Sequence, residues 1–261
     1  MQALYIASTG MAAQEKNVEV ISNNIANMRT TGYKRQRAEF QDLLYQQLRQ
    51  AGSQTSDSGT QLPIGVEIGS GVRIAGTSRI MTQGTVEATG KQLDVAVQGE
   101  GFLQVSMPDG STAYTRDGSL ERNASGMLVT TDGYQVQPGI AIPDNATSVS
   151  ISAQGMVEAF LGNSTTPTQI GQLQLSRFAN KAGLQSIGNN LFLETPASGS
   201  AQSGFPGSDS LGTLLQGYLE TSNVNAVTEI SDLISAQRAY EMNSRVISGA
   251  DEMMQSTAQL R

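Results

Sequence analysis

The sequence predicts an α+β protein: a discontinuous N/C-terminal helical coiled-coil domain, a mainly-β middle domain, and an extended linker segment after the first helix. Three observations carry this reading. From Asn225 to Arg261 there is no proline and one glycine, and Ile230, Leu233, Ile234, Tyr240, Ile247 and Met254 recur with helical spacing. At the other end Leu4, Met11, Val18 and Ile25 recur every seven residues, with Ala7, Ile21 and Met28 at the intervening seam positions. Between the ends, short runs of Ser, Thr, Val and Gln are punctuated by glycine, of which the chain has 28, as in strands joined by tight turns. Neither terminal helix has a hydrophobic partner beside it in sequence. They are therefore expected to pack on each other, on neighbouring subunits, or on both, and the ends are read as assembly elements.

Composition narrows the function classes. A chain of 261 residues with 38% hydrophobic content can bury a core and is long enough for about two domains. Its net charge of -7 and pI near 4.7 argue against a nucleic-acid partner, which calls for a basic surface. Cysteine and histidine are absent, which removes disulfides, thiolate chemistry and the commonest zinc and haem ligand sets. No cofactor and no catalytic or metal-ligating residues are expected. No stretch approaches the ~20 apolar residues of a membrane span, so no membrane insertion is expected. The opening MQALYIASTGMAAQEKN lacks the features of a cleaved signal. The expectation is a cytosolic chain or one exported without such a signal.

The first helix is expected from about Ala3 to about Ala26, where Asn23, Asn24 and Asn27 and then Thr30, Thr31 and Gly32 favour a turn. Asn27 has two readings, a cap on a fraying end or an amide that fixes register against a partner helix. Tyr33, Lys34, Arg35 and Arg37 read as a small, solvated basic cluster. Phe40, Leu43, Leu44 and Leu48 make a second short apolar pattern, followed by the polar run QAGSQTSDSGTQLP, a long loop or linker.

From Val66 to about Phe205 the signals are β, with hairpins expected at Asp109-Gly110, Asp117-Gly118 and Asp132-Gly133. These aspartates are read as turn residues rather than as a calcium or catalytic set. Asn223 or Asn225 is expected to cap the last helix, and Glu229 to sit where an acid complements the helix dipole. Gln237, Ser244 and Asp251 then fall at polar seam positions.

The segments SNNIANMRTTGYKR, LDVAVQGEGFLQV, AYTRDGSLERNASGMLVTTDGYQVQP and GYLETSNVNAVTEISDLISAQRAYEMNSRVI resemble the bacterial flagellar rod and hook axial-protein family over nearly the whole chain. FQDLLYQQLRQAGSQTSDSGTQLPIGVEIGSGV resembles the extended segment of its distal-rod members, which shorter proximal-rod members largely lack. The resemblance implies a structural subunit of the basal body, in the flagellum crossing the periplasm toward the outer membrane. It implies a terminal helical assembly domain over 1–33 and 222–261, an extended bridging segment over 34–73 and a β-rich middle over 74–221. Its assembly interface is expected to use Leu4, Met11, Val18, Ile21, Asn24, Ile25, Asn27 and Tyr33 on one side. On the other it uses Ile230, Leu233, Ile234, Tyr240, Ile247 and Met254. The partners implied are further copies in a helical homopolymer, proximal rod proteins, the hook protein, the P- and L-ring bushing and the flagellar type III export apparatus. Alternatives are a proximal rod subunit of the same family, a secreted β-rich binding module, and a wall hydrolase, which needs two carboxylates ~5 to 10 Å apart in a cleft.

Overall fold

The structure, a computed structural model, describes residues 2–52, 63–162, 166–208 and 210–259. The chain forms two compact units. The first comprises residues 1–25, 36–78 and 225–261; the second comprises 26–35 and 79–224.

The first unit opens with α1 (Gln2–Ala26), followed by β1 (Gln36–Asp42), β2 (Gln46–Arg49), β3 (Val66–Ile68) and β4 (Val72–Arg79). β1 pairs with β4, and β2 pairs antiparallel with β3. The expected linker is thus strand at both flanks, while residues 53–62 of its polar run lie outside the described residues. The unit closes with α2 (Ala226–Gln259). Asn225 is its cap: the Asn225 side-chain oxygen accepts from the Val227 and Thr228 backbone N–H groups at 3.0 and 3.2 Å, satisfying donors that a helix start leaves open.

The second unit runs β5 (Val86–Ala88), β6 (Val95–Gln98), β7 (Phe102–Ser106), β8 (Thr112–Thr115), β9 (Leu120–Arg122), β10 (Leu128–Thr130) and β11 (Gln135–Val136). It continues through β12 (Ala146–Ile151), β13 (Met156–Leu161), β14 (Thr168–Gln172), β15 (Leu175–Arg177), β16 (Gln185–Gly188) and β17 (Leu191–Leu193). It ends with β18 (Gln202–Gly204), β19 (Thr213–Gln216) and β20 (Tyr218–Glu220). Its largest sheet has nine strands, in the order β16-β17-β8-β7-β11-β10-β9, with β15 beside β7 and β18 beside β15. β7 is the axis of this sheet. It pairs along one edge with β8 and along the other with β11 and β15, and Phe102, Leu103, Gln104 and Val105 are all buried.

The strand is covered on both faces, and within it the buried Gln104 amide donates to the Ser176 and Ser203 hydroxyls. On one side Leu103 joins Val95, Val97, Leu128, Val157 and Leu175 in the main core. On the other Phe102 meets Phe178 and Phe192 edge-on at centroid distances of 5.9 Å, and Tyr114 meets Phe178 at 4.8 Å. Each fully buried Val or Leu contributes about 1.5 to 3 kcal/mol by leaving water, so these clusters supply most of what holds the unit together.

Two of the three Asp-Gly pairs turn hairpins. Asp109-Gly110 links β7 to β8 and Asp132-Gly133 links β10 to β11, with the glycines at φ 84° and 85°. Asp117-Gly118 does not: β8 and β9, on either side of it, are not paired with each other. Gly118 is needed for a different reason, since a Cβ there would sit 1.7 Å from the Val95 carbonyl oxygen. Asp117 instead accepts from the Ser119 backbone N–H at 3.0 Å, a local turn bond.

The basic cluster read as a solvated face is corrected at Lys34, which is 2% exposed. Its ammonium donates to the Glu220 carboxylate and, at 2.8 Å, to the Thr82 carbonyl. The same carboxylate accepts from the Gly84 N–H at 2.9 Å, and its other oxygen lies 3.1 Å from Arg116 Nε without hydrogen-bond alignment. Arg116 donates its remaining N–H groups to the Gly99 and Gly101 carbonyls. The Glu220 carbonyl in turn accepts from the Gly32 N–H at 2.8 Å. Gly32 sits at φ 69°, and a Cβ on it would approach the backbone of Arg116 and Asp117 to 2.9 Å. Burial pushes the Lys34 ammonium below its ordinary pKa, opposed by the pull of Glu220. Asn223, the other cap candidate, also serves this region: it donates to the Ile80 and Thr82 carbonyls and accepts from the Arg35 N–H at 2.7 Å.

Removing one member of a buried ion group leaves the others uncompensated. Glu220→Ala is therefore expected to destabilise the β unit by about 3 to 5 kcal/mol, measured by denaturant unfolding. Lys34→Met, which leaves Glu220 its Arg116 partner, is expected to cost clearly less. Equal losses in the two variants would show that Glu220 is not the hub.

Candidate assembly surface

The first unit carries the residues singled out for assembly on α1 and α2. Along α2, Glu229, Ala236, Asn243 and Ala250 recur every seven residues; three are buried and Asn243 is half-buried. Along α1 the buried positions are Ala7, Ala13, Ile21 and Asn24. Two contacts between the helices fix their direction. The Asn24 side-chain amide donates to the Glu229 carboxylate at 3.0 Å, and a Cβ on Gly10 would lie 2.8 Å from the Asn243 side-chain nitrogen. Fourteen residues separate Gly10 from Asn24, and fourteen separate Glu229 from Asn243. The helices therefore run antiparallel and in step over four turns. The inward Ala7, Ala13, Ala236 and Ala250 are small, which lets the backbones approach.

Asn24 does more than bridge the helices. Its amide nitrogen also donates to the Gln36 carbonyl at 2.8 Å, and its oxygen accepts from the Gln36 N–H at 2.9 Å. One buried side chain thus joins α1, the first residue of β1 and the first turn of α2. Further along α1, Thr9 packs against Gly71 and its hydroxyl accepts from the Val72 N–H at 3.4 Å. Among the described residues no three of His, Cys, Asp and Glu are grouped to hold a metal ion, and no helix is long and apolar enough to cross a membrane.

The outward surface of α2 is unusually apolar. Val227, Ile230, Ile234, Met242, Val246 and Met253 are all exposed, Val227 at 78% and Met253 at 65%. A second apolar surface lies at the strands after α1, where Leu44, Leu48, Ile64 and Val66 are exposed, Leu44 at 89%. Continuous exposed apolar surface of this kind marks an interaction face.

Comparison with known proteins supplies the context. Residues 4–34 match the flagella basal body rod protein family, residues 96–159 the flagellar hook protein FlgE/F/G D1 domain, and residues 215–260 the flagellar basal body rod FlgEFG protein C-terminal family. The flagellar basal-body rod protein FlgG of Caulobacter vibrioides is 57% identical over 261 residues, the full length of both chains. That of Borreliella burgdorferi is 46% identical over 256 residues, covering 97% of this chain and 96% of the relative. That of Bacillus subtilis is 35% identical over 266 residues, covering 100% and 99%. The chain belongs to the flagellar basal-body rod protein family.

In this rod-family chain the residues named from the sequence are spread over several faces. Ile21 and Asn24 are buried, while Leu4, Met11, Val18, Ile25, Leu233 and Ile247 are half-buried. Ile230, Ile234, Tyr240 and Met254 are exposed, as are Gln237, Ser244 and Asp251, the polar seam candidates. Asn27 and Tyr33 belong to the other unit and are half-buried; the Asn27 side-chain oxygen accepts from the Thr30 hydroxyl at 3.1 Å in the turn after the helix. The inward set of α2 was not singled out from the sequence. Its signal was present as the strict seven-residue recurrence of small and polar residues, hidden by the larger apolar side chains beside it.

Asn24→Ala removes the contact with Glu229 and strips the Gln36 backbone N–H and carbonyl of the side chain that pairs them, at about 1 to 3 kcal/mol for each backbone group left unsatisfied. Hydrogen exchange across residues 4–24 is expected to accelerate while residues 95–105 of the β unit keep their protection. Unchanged exchange in α1 would show that the amide does not hold the pair.

Proposed function

We propose that this chain, a flagellar rod structural subunit of the basal body, builds the distal rod: copies polymerise into a rigid hollow tube that transmits torque to the hook and conducts exported subunits. The observation that carries this reading is the 57% identity, over the full length of both chains, with a protein named as a basal-body rod protein. In this reading 1–33 and 222–261 form the assembly domain, its helices paired as a coiled coil and its contacts drawn from the interface residues named from the sequence. Residues 34–73 bridge neighbouring subunits, and 74–221 form the outer β layer. The partners are the proximal rod proteins below, the hook protein above, the P- and L-ring bushing around the tube, and the type III export apparatus that delivers the chain. The rod so built crosses the periplasm toward the outer membrane.

The exposed apolar face of α2 supports self-assembly, because such surface is stabilised only when another chain covers it. The buried polar groups of the β unit fit a structural protein rather than an enzyme. Glu220, Lys34 and Arg116 neutralise one another within the fold instead of lining a cleft.

Two substitutions separate assembly from folding. Ile234→Asp lies on exposed α2 surface and is expected to change the stability of the purified chain by no more than about 0.5 kcal/mol. In a strain lacking its own copy, the same variant should leave cells without rods and non-motile. Val97→Asp, at a core position with 0% exposure, should abolish cooperative unfolding of the β unit altogether, because it buries an unpaired charge. Normal swimming by cells carrying Ile234→Asp would overturn the assembly reading.

A further inference from the structure

Asp-Gly occurs at three places in the chain, Asp109-Gly110, Asp117-Gly118 and Asp132-Gly133. Besides its use in turns, the pair has a chemistry of its own. The glycine nitrogen can attack the aspartate side-chain carboxyl carbon, and the missing Cβ leaves that nitrogen unshielded. Attack needs a carboxyl group released from its partners, a backbone able to open, and space for the ring that forms. The three sites differ in these respects.

At Asp109 the carboxylate is clamped: one oxygen accepts from the Ser111 backbone N–H at 2.9 Å and from the Ser111 hydroxyl at 2.6 Å. These bonds hold the carboxyl below its ordinary pKa, which opposes a reaction whose leaving group is the hydroxyl of the protonated acid. Asp117 is held in the same way, by the Ser119 N–H at 3.0 Å and hydroxyl at 2.6 Å, and it also accepts from the Asn190 amide at 3.4 Å. Gly118 is buried, its carbonyl accepts from the Val95 N–H at 2.9 Å, and the Val95 oxygen fills the space beside it. Asp132 is exposed and makes no side-chain hydrogen bond or ion pair among the described residues. Around both Gly133 and Gly110 nothing lies within 4 Å of where a Cβ would stand, so the Ser111 clamp is what sets Asp109 apart from Asp132. The Gly133 nitrogen is held only by the Thr130 carbonyl at 2.9 Å, in an exposed turn of the kind that opens at least cost.

We infer that Asp132 is a site of spontaneous isoaspartate formation in the folded protein, and that the fold protects Asp109 and Asp117 from the same reaction. The Gly133 nitrogen bonds to the Asp132 side-chain carboxyl carbon, and its proton leaves with the carboxyl hydroxyl as water, giving a cyclic succinimide. Water then adds at the Asp132 main-chain carbonyl carbon and the bond from that carbon to nitrogen breaks. The chain now continues through the side-chain carbon, and the α-carboxylate is free. No oxidant or cofactor enters, and the water released in the first step is taken up in the second. The product lengthens the main chain by one atom in the link between β10 and β11, where Thr130 bonds to both Gly133 and Tyr134.

The purified full-length chain, kept warm at neutral pH, tests this. Isoaspartate is read peptide by peptide, from methyl transfer by an isoaspartyl methyltransferase and from fragmentation spectra that distinguish the two linkages. The peptide carrying Asp132 should accumulate it at least tenfold faster than those carrying Asp109 or Asp117. In denaturant the three rates should converge to within a few-fold, because local sequence alone then decides, and Asp109 and Asp117 share the tripeptide Asp-Gly-Ser. Ser111→Ala should raise the Asp109 rate several-fold in the folded chain. Asp132→Glu should remove the Asp132 signal, since the larger ring that glutamate requires closes far more slowly. Equal rates at the three sites in the folded chain, an Asp132 signal confined to the denatured chain, or an Asp109 rate that Ser111→Ala leaves unchanged would each overturn the inference.

Discussion

The β unit is organised around one carboxylate. Glu220 ends the last strand and gathers the Lys34 ammonium, the Arg116 guanidinium and the Gly84 N–H on its side chain, while its carbonyl takes the Gly32 N–H. Ions this deeply buried lose several kcal/mol of hydration each, and only dense local pairing makes their presence tolerable. The Lys34–Glu220 pair forms only when the segment that follows α1 and the segment that precedes α2 are both in place, while Arg116 also holds the Gly99 and Gly101 carbonyls. Gly32 belongs to the same constraint, since its left-handed backbone and missing Cβ allow the chain to lie against Arg116 and Asp117.

The helical unit is built on a different economy. Its inward surface is made of alanines, a glycine, Ile21 and two amides, with Glu229 at the start of α2, and contributes modest apolar burial. On α2 the aliphatic side chains of Val227, Ile230, Ile234 and Val246 point outward. A helix pair of this kind draws only modest stability from its own contact, because most of the apolar surface that would favour helix formation stays in water. The specificity comes from Asn24 and Glu229, a polar contact that fixes register without adding much burial.

Much of this was legible in the sequence wherever the cause is local. The first helix was expected from about Ala3 to about Ala26 and runs Gln2–Ala26; Asn225 caps α2 because its side chain reaches two backbone donors immediately after it. Two Asp-Gly turns followed from the conformations that those residues tolerate. The third failed for a long-range reason: Gly118 is there to admit the Val95 carbonyl, and nothing near it in sequence announces that. Lys34 misled in the same way. Its neighbours Arg35 and Arg37 suggest a wet basic face, while the residue that buries it, Glu220, lies 186 positions away. On α2, periodicity gave the existence of an amphipathic pattern but not its direction, because large apolar residues dominate such a reading and here Ala236 and Ala250 face inward; on α1 the seam positions Ala7 and Ile21 are buried.

The outward isoleucines, valines and methionines of α2 also affect the chain before it reaches its place. A surface that another copy must eventually cover is adhesive toward any apolar surface it meets, including that of an identical chain in the wrong geometry. The free protein is thus safest when scarce or unfolded, and the site of polymerisation is best supplied one molecule at a time. Solubility and assembly are here opposite readings of the same few side chains, and no substitution on that face improves one without eroding the other.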